Sequence, residues 1–441
     1  MLGSIGVIVS LILLIYLAFK KWNPMTISIM ASVIAGLTNQ MPFWGTLQEV
    51  YVPGVLSFIS SWLLIFTFGA VYSELLIQTG SAASIAYKLL DVFGKKLLFV
   101  MALFTLLLIY GGISSFVVIF ILWPMMAVLS REANIPQRIW IAVFYLGLFA
   151  VNPLPGSPSL ANIVVPALFD VSPTSGAFMG ILSSVIYFAT GYIILMAIMK
   201  RYEKKGIKYE KNEREDALIG RSREDCPKFM TAVLPMLVMV VLFSSLSNGW
   251  LSFIGIEKMQ VTFSVMTAML IACLLCVILN FKVLRPQLKQ ILMKGSMGGI
   301  NPLITGALIT GYVAVVSSTP AYAGFIEWIL GMPGHPYMQM FVAGSLIAML
   351  AGNPAVSAPL VCNSFGAAWM ASGAINTSLI RPLLTTCFGG TSILPHSGGL
   401  FGVMEYTGQD HDKSYMAAFL VCVIPTFTTT LILIGLALLF Y

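Results

Sequence analysis

The sequence predicts an all-α polytopic membrane protein with about 10–12 transmembrane segments, arranged as two inverted repeats with re-entrant hairpins and broken helices. Three observations carry this prediction. First, only 9% of the 441 residues are charged and 58% are hydrophobic, whereas a soluble domain needs roughly 25% charged residues to face water. Second, the apolar residues fall in runs of membrane-spanning length. Third, four of those runs are interrupted by Gly, Pro and small polar residues, and the interruptions pair up at a common offset.

Continuous runs occupy Leu2 to Phe19, Asn23 to Thr38, Val52 to Gln78, Thr174 to Met199, Phe229 to Leu246, Gln260 to Phe281, Ser296 to Ser318 and Tyr415 to Tyr441, each reading as one spanning helix. The first lacks a basic leader and a small-residue cleavage site, so it reads as a retained helix. Charge concentrates between Lys200 and Lys228, where 10 Lys/Arg and 7 Asp/Glu alternate. That mixture is a solvated linker and excludes a nucleic-acid face, which needs a concentrated basic patch. The expected organisation is therefore an N-terminal repeat over 1–200, a cytoplasmic linker over 201–228 and a C-terminal repeat over 229–441. The net charge of +7 reads as positive-inside bias, with Lys20, Lys21, Lys88, Lys95, Lys96, Arg131, Arg138, Lys282, Arg285, Lys289 and Lys294 on the linker's side. Arg381 falls on the opposite side, as an interfacial anchor.

The interrupted runs are Leu97 to Leu129, broken at Tyr110-Gly111-Gly112-Ile113-Ser114-Ser115; Ile139 to Phe169, broken at Asn152-Pro153-Leu154-Pro155-Gly156-Ser157-Pro158; Tyr337 to Met370, broken at Gly352-Asn353-Pro354-Ala355-Val356-Ser357; and Leu383 to Met404, broken from Gly389 to Gly399. An open backbone amide in hydrocarbon costs several kcal/mol, so such breaks persist only where protein, ligand or a wet cavity satisfies them. Leu154-Pro155-Gly156-Ser157 and Leu394-Pro395-His396-Ser397 lie 240 residues apart, and Tyr110 and Asn353 lie 243 apart. Interrupted helices at corresponding positions of two halves point to a transporter site near the midplane.

The order of these motifs resembles the gluconate:proton symporter (GntP) family of the ion-transporter superfamily. The resemblance runs through Asn23-Pro24, the Glu74 region with Thr79-Gly80-Ser81-Ala82, the Tyr110 and Leu154 breaks, and Leu394-Pro395-His396-Ser397-Gly398. It is closest to the branch with a Leu-Pro-His-Asn-Gly run at the last site, some members of which are linked to short hydroxy acids; here Ser397 stands at the Asn position. The resemblance implies a secondary active transporter of small organic anions, proton-coupled, in an inner membrane. Superfamily analogy adds a homodimer and elevator-type alternating access.

Helix N-termini bind carboxylates without a fixed cation, and Ser, Thr and Asn side chains add adjustable donors. The candidate substrate ligands are Ser114, Ser115, Asn152, Ser157, Asn353, Ser357, Thr391, His396 and Ser397. With no fixed cation among them, they favour a small monocarboxylate, hydroxylated or not. Each is equally able to cap its own broken helix. His396 and Glu74 are the proton-coupling candidates, His396 because its ordinary pKa lies near 6.5. His335 and His411 read as loop residues. Na⁺ is the alternative coupling ion, since unwound carbonyls with Ser and Asn oxygens suit it too, and a channel is the third reading. No cofactor or metal is expected: Cys273 and Cys276 lack a partner pair. No H-E-x-x-H or GxxxxGK[ST] motif occurs, which argues against an enzyme.

Overall fold

The computed structural model describes residues 2–20, 22–210 and 223–440, so the middle of the expected linker, residues 211–222, lies outside the described residues. Every regular element described is helical. The longer helices, in chain order, are α1 (Leu2–Phe19), α2 (Pro24–Thr38), α3 (Val52–Gln78, continuous with a helical lead-in from Phe43), α4 (Ser81–Phe93), α5 (Leu97–Tyr110), α6 (Ser115–Glu132), α7 (Arg138–Ala150), α8 (Leu160–Phe169) and α9 (Ala177–Lys204). After the linker come α10 (Phe229–Asn248), α11 (Val261–Leu279), α12 (Leu288–Gly298), α13 (Ile300–Ser317), α14 (Pro320–Leu330), α15 (Pro336–Ala351), α16 (Pro354–Ala371), α17 (Thr377–Thr391), α18 (Gly398–Thr407) and α19 (His411–Phe440).

Among the described residues eight helices are long and apolar enough to cross a membrane, and α2, α5, α7 and α15 are shorter apolar helices of 10–17 residues. Three of these short helices end at the breaks the sequence marks: α5 at Tyr110, α7 at Ala150 and α15 at Ala351. The fourth break separates α17 from α18. Helices α4 and α14 are additions to the sequence reading. His411, expected in a loop, opens α19 and is buried against the Phe401 ring at 4.7 Å.

Helices α6 and α7 form the centre. From Val117 to Ser130 every residue of α6 is buried, as are Ile139 to Gly147 of α7, because both are apolar on all sides and are wrapped by neighbours. A large-to-small change here costs about 2–5 kcal/mol. Helix α3 lies along α6, α11, α12 and α13, while α19 lies along α7, α9 and α17. Gly69 of α3 allows the Phe120 ring of α6 to pack against its backbone. The outer faces of α1, α9, α10, α11 and α19 expose Ile8, Phe178, Val241, Ile278 and Leu439, a surface suited to lipid.

Candidate functional site

A cavity of about 80 Å³ lies where the first, third and fourth breaks meet, lined by Ser115 and Phe116, by Phe144, Tyr145, Leu148 and Phe149, by Gly352, Asn353 and Pro354, and by Ser392, Ser397, Gly399 and Val403; no residue of the second break, 152–158, is among its lining. Three helices start at its wall. Ser115 is the first residue of α6, Pro354 the first of α16, and Ser397 is the N-cap of α18. The first amides of a helix have no intrahelical acceptor, and three such ends give the cavity wall a positive character without a charged side chain.

Local packing fixes these ends. Phe116 sits among Phe58, Trp62 and Phe66 of α3, with the Phe66 ring centroid 4.7 Å away, which anchors the start of α6. The Ser114 carbonyl accepts the Val117 and Val118 amides at 2.8 and 3.0 Å. Gly398 opens α18 against Gly306 of α13, where a Cβ would meet the Gly306 carbonyl at 3.0 Å. Gly352 has φ +59°, and a Cβ there would come within 2.9 Å of Ser397 Cα, so glycine is needed both for the turn and for the close approach of the third and fourth breaks.

Aromatic lining comes from the last turns of α7, with Tyr145 and Phe149 5.4 Å apart. The site therefore pairs apolar surface with a few polar groups, the usual make-up of a small-molecule site.

The freed backbone groups at the breaks are taken up by the protein, as hydrocarbon burial requires. At the second break the Pro153 and Leu154 carbonyls accept from Arg381, the Pro155 carbonyl from the Tyr110 hydroxyl at 3.1 Å, and the Ser157 carbonyl from Asn162 Nδ2 at 2.9 Å. The Ser184 hydroxyl donates to the Ala150 carbonyl at 2.7 Å. At the first break Ser244 donates to the Gly111 carbonyl at 3.1 Å. His396 Nε2 lies 3.0 Å from the Leu350 carbonyl and the Ser397 hydroxyl donates to the Gly352 carbonyl at 2.6 Å.

Of the sequence candidates, Ser115, Asn353 and Ser397 line the cavity together. Ser114 immediately precedes it. Ser357 and Thr391 are buried and donate to their own helices, at the Asn353 and Cys387 carbonyls. Ser157 belongs to the sealed second break, and Asn152 is buried beside Gly389. His396 is completely buried, one residue from the cavity-lining Ser397, and its Nδ1 has no hydrogen-bond partner among the described residues. Glu74 sits in the last turn of α3, apart from the cavity lining, where it accepts from Lys294 at 2.8 Å and Gln78 at 2.9 Å. Ser392, inside the fourth break but not among the candidate ligands, and the α7 aromatics are further cavity residues. Arg381 corrects two expectations, since it is fully buried instead of interfacial and is a fixed cation at the second break.

The GntP family permease model matches residues 2–396. The chain belongs to the GntP permease family. This permease is thus a multi-pass membrane transporter and not an enzyme, and the family implies a small anion as its substrate. It is 22% identical to the "Uncharacterized transporter YxjC" of Bacillus subtilis, over 95% of the permease and 96% of that relative. It is 24% identical to the "High-affinity gluconate transporter" of Escherichia coli, covering 82% and 80% of the two chains. An "Uncharacterized transporter" of Haemophilus influenzae is 25% identical over 55% of each chain.

Proposed function

We propose that this permease is a proton-coupled symporter of short, hydroxylated monocarboxylates. The observation that carries the reading is the convergence of three helix starts, at Ser115, Pro354 and Ser397, on one small cavity. Helix N-termini favour a carboxylate, and the Ser115 and Asn353 side chains beside them suit the substrate's hydroxyl. The cavity is small, about 80 Å³, which favours a short acid over a longer one such as gluconate.

His396 supports the coupling. A buried imidazolium is costly without a neighbouring anion, so a proton on Nδ1 and an anion in the adjacent cavity favour each other, and linkage makes the effect reciprocal. Glu74, already paired with Lys294, is the second coupling candidate.

The same reading divides the permease into repeats over 1–200 and 229–441, inverted with respect to each other and joined by the linker. Supporting this, α4, α5, α6, α7, α8 and α9 are followed in the same order by α14, α15, α16, α17, α18 and α19, each beginning 234–239 residues later. Elevator-type alternating access in a homodimer of an inner membrane completes the proposal.

Thermal-shift and counterflow measurements on purified protein test the substrate class, using lactate, glycerate, gluconate, succinate and citrate with neutral sugars as controls. The expected order places the three-carbon hydroxy acids first. Tightest binding by a neutral sugar or a tricarboxylate refutes it.

A further inference from the structure

Among the buried polar groups of the described residues that the cavity leaves unexplained, Arg381 is the one that carries a full positive charge. Its guanidinium is fully buried. Nε donates to the Ser175 carbonyl at 2.7 Å, and Nη1 to the Pro153 carbonyl at 3.0 Å and to Asn162 Oδ1 at 2.7 Å, with Leu154 at 3.4 Å. Nη2 is buried with no hydrogen-bond partner among the described residues and lies beside Gly180, where a Cβ would approach it to 2.6 Å. Every acceptor is neutral, and no ion pair among the described residues involves it. A buried cation without a counter-ion is strongly unfavourable, and an ionisable group at membrane depth marks function more often than structure.

Its place explains what the charge does. Helix α7 ends at Ala150, so its negative dipole end and the freed carbonyls of Pro153 and Leu154 follow directly on Phe149, a cavity wall residue. Those groups repel an anion. Arg381 binds the same carbonyls and sets a full positive charge against them. It also sits on α17, the helix that brings Ser392 to the cavity at its other end. The axial distance between the two is about 16 Å at 1.5 Å per residue.

We infer that Arg381 is a positioning and selectivity residue: it clamps the unwound 151–157 segment against α17 and supplies a buried positive charge, without a counter-ion among the described residues, that selects a singly charged anion over a neutral analogue. This rests on the organic-anion reading above and narrows it to one negative charge. A unit charge acting over about 16 Å at an effective dielectric near 20 changes a binding constant by roughly sixfold.

The test compares the parent with Arg381→Lys and Arg381→Gln in purified form, titrating lactate and glycerate against lactamide and glyceramide by calorimetry. The parent should prefer each acid to its amide. Arg381→Gln should lose about sixfold or more in acid binding while amide binding changes little, and Arg381→Lys, which keeps the charge but not the fork of hydrogen bonds, should retain the preference. A purely structural clamp predicts otherwise: equal loss for acid and amide, with Arg381→Lys as damaged as Arg381→Gln. That result overturns the inference, and Arg381→Lys alone decides it should Arg381→Gln not fold. If the parent binds acids and Arg381→Gln keeps the same acid-to-amide ratio, only this inference falls. If the parent binds neither acid, the organic-anion reading falls and this one with it.

Discussion

The Ser397 hydroxyl donates to the Gly352 carbonyl at 2.6 Å, tying the third and fourth breaks together at the wall of the cavity. The same oxygen accepts the Leu400 amide at 3.4 Å as the N-cap of α18. One side chain therefore satisfies a freed carbonyl and positions a helix start.

Ser397→Ala removes both contacts. An N-cap loss costs about 1 kcal/mol and an unsatisfied buried carbonyl about 1–3 kcal/mol. The expected result is a lower unfolding temperature in detergent with substrate affinity reduced, and Ser397→Thr should recover most of the stability. An unchanged melting temperature in the alanine variant contradicts the bridging role.

Gly352→Ala combines a left-handed backbone, which costs a non-glycine residue about 1–2 kcal/mol, with a contact of 2.9 Å from the new Cβ to Ser397 Cα. Because the clash falls on the cavity wall, transport should fall further than expression. Counterflow normalised to the amount of folded protein measures this, and wild-type rates would show that the two breaks can part freely.

Gly180→Ala puts a Cβ 2.3 Å from the Pro153 carbonyl and 2.6 Å from Arg381 Nη2. Overpacking of this kind costs about 1–3 kcal/mol. Neighbouring Ser184→Ala loses only its bond to the Ala150 carbonyl. The glycine variant should be the less stable of the two by thermal unfolding; the reverse order contradicts the tight seal around the second break.

Glu74 pairs with Lys294, whose side chain is 60% exposed. A pair this open to solvent contributes at most about 1 kcal/mol. Glu74→Gln should therefore leave stability near the parent level; with His396 as the first coupling candidate, gradient-driven accumulation should persist as well. Loss of accumulation with exchange intact would assign the proton to Glu74 instead.

Much of this was legible in the sequence where one physical cause dominated. Long apolar runs marked α1 and α3, because a backbone in hydrocarbon must satisfy itself internally and apolar runs of about 20 residues do so as helices. The breaks were legible too, since Gly and Pro interrupt a helix wherever they cluster. Helices α4 and α14 were not, because they are short and carry Tyr87, Lys88, Asp91 or Glu327 among their apolar residues. At the site, residue type pointed to Ser115, Asn353 and Ser397, yet could not separate them from Ser357 and Thr391, which turn back on their own helices. Arg381 was misread because a lone arginine near a helix start looks interfacial. Its burial comes from carbonyls more than two hundred positions away in the chain, at Pro153 and Ser175.

The central claim is that a proton and a small hydroxy monocarboxylate move together through the cavity beside His396. Purified protein in liposomes loaded with a pH-sensitive dye measures it, with lactate or glycerate added outside under an imposed pH gradient, a Na⁺ gradient or neither. The account predicts substrate-dependent internal acidification and uphill accumulation driven by the pH gradient alone, with His396→Gln keeping counterflow but losing accumulation. Accumulation driven by Na⁺ with no proton movement, or accumulation by His396→Gln equal to the parent, would contradict it.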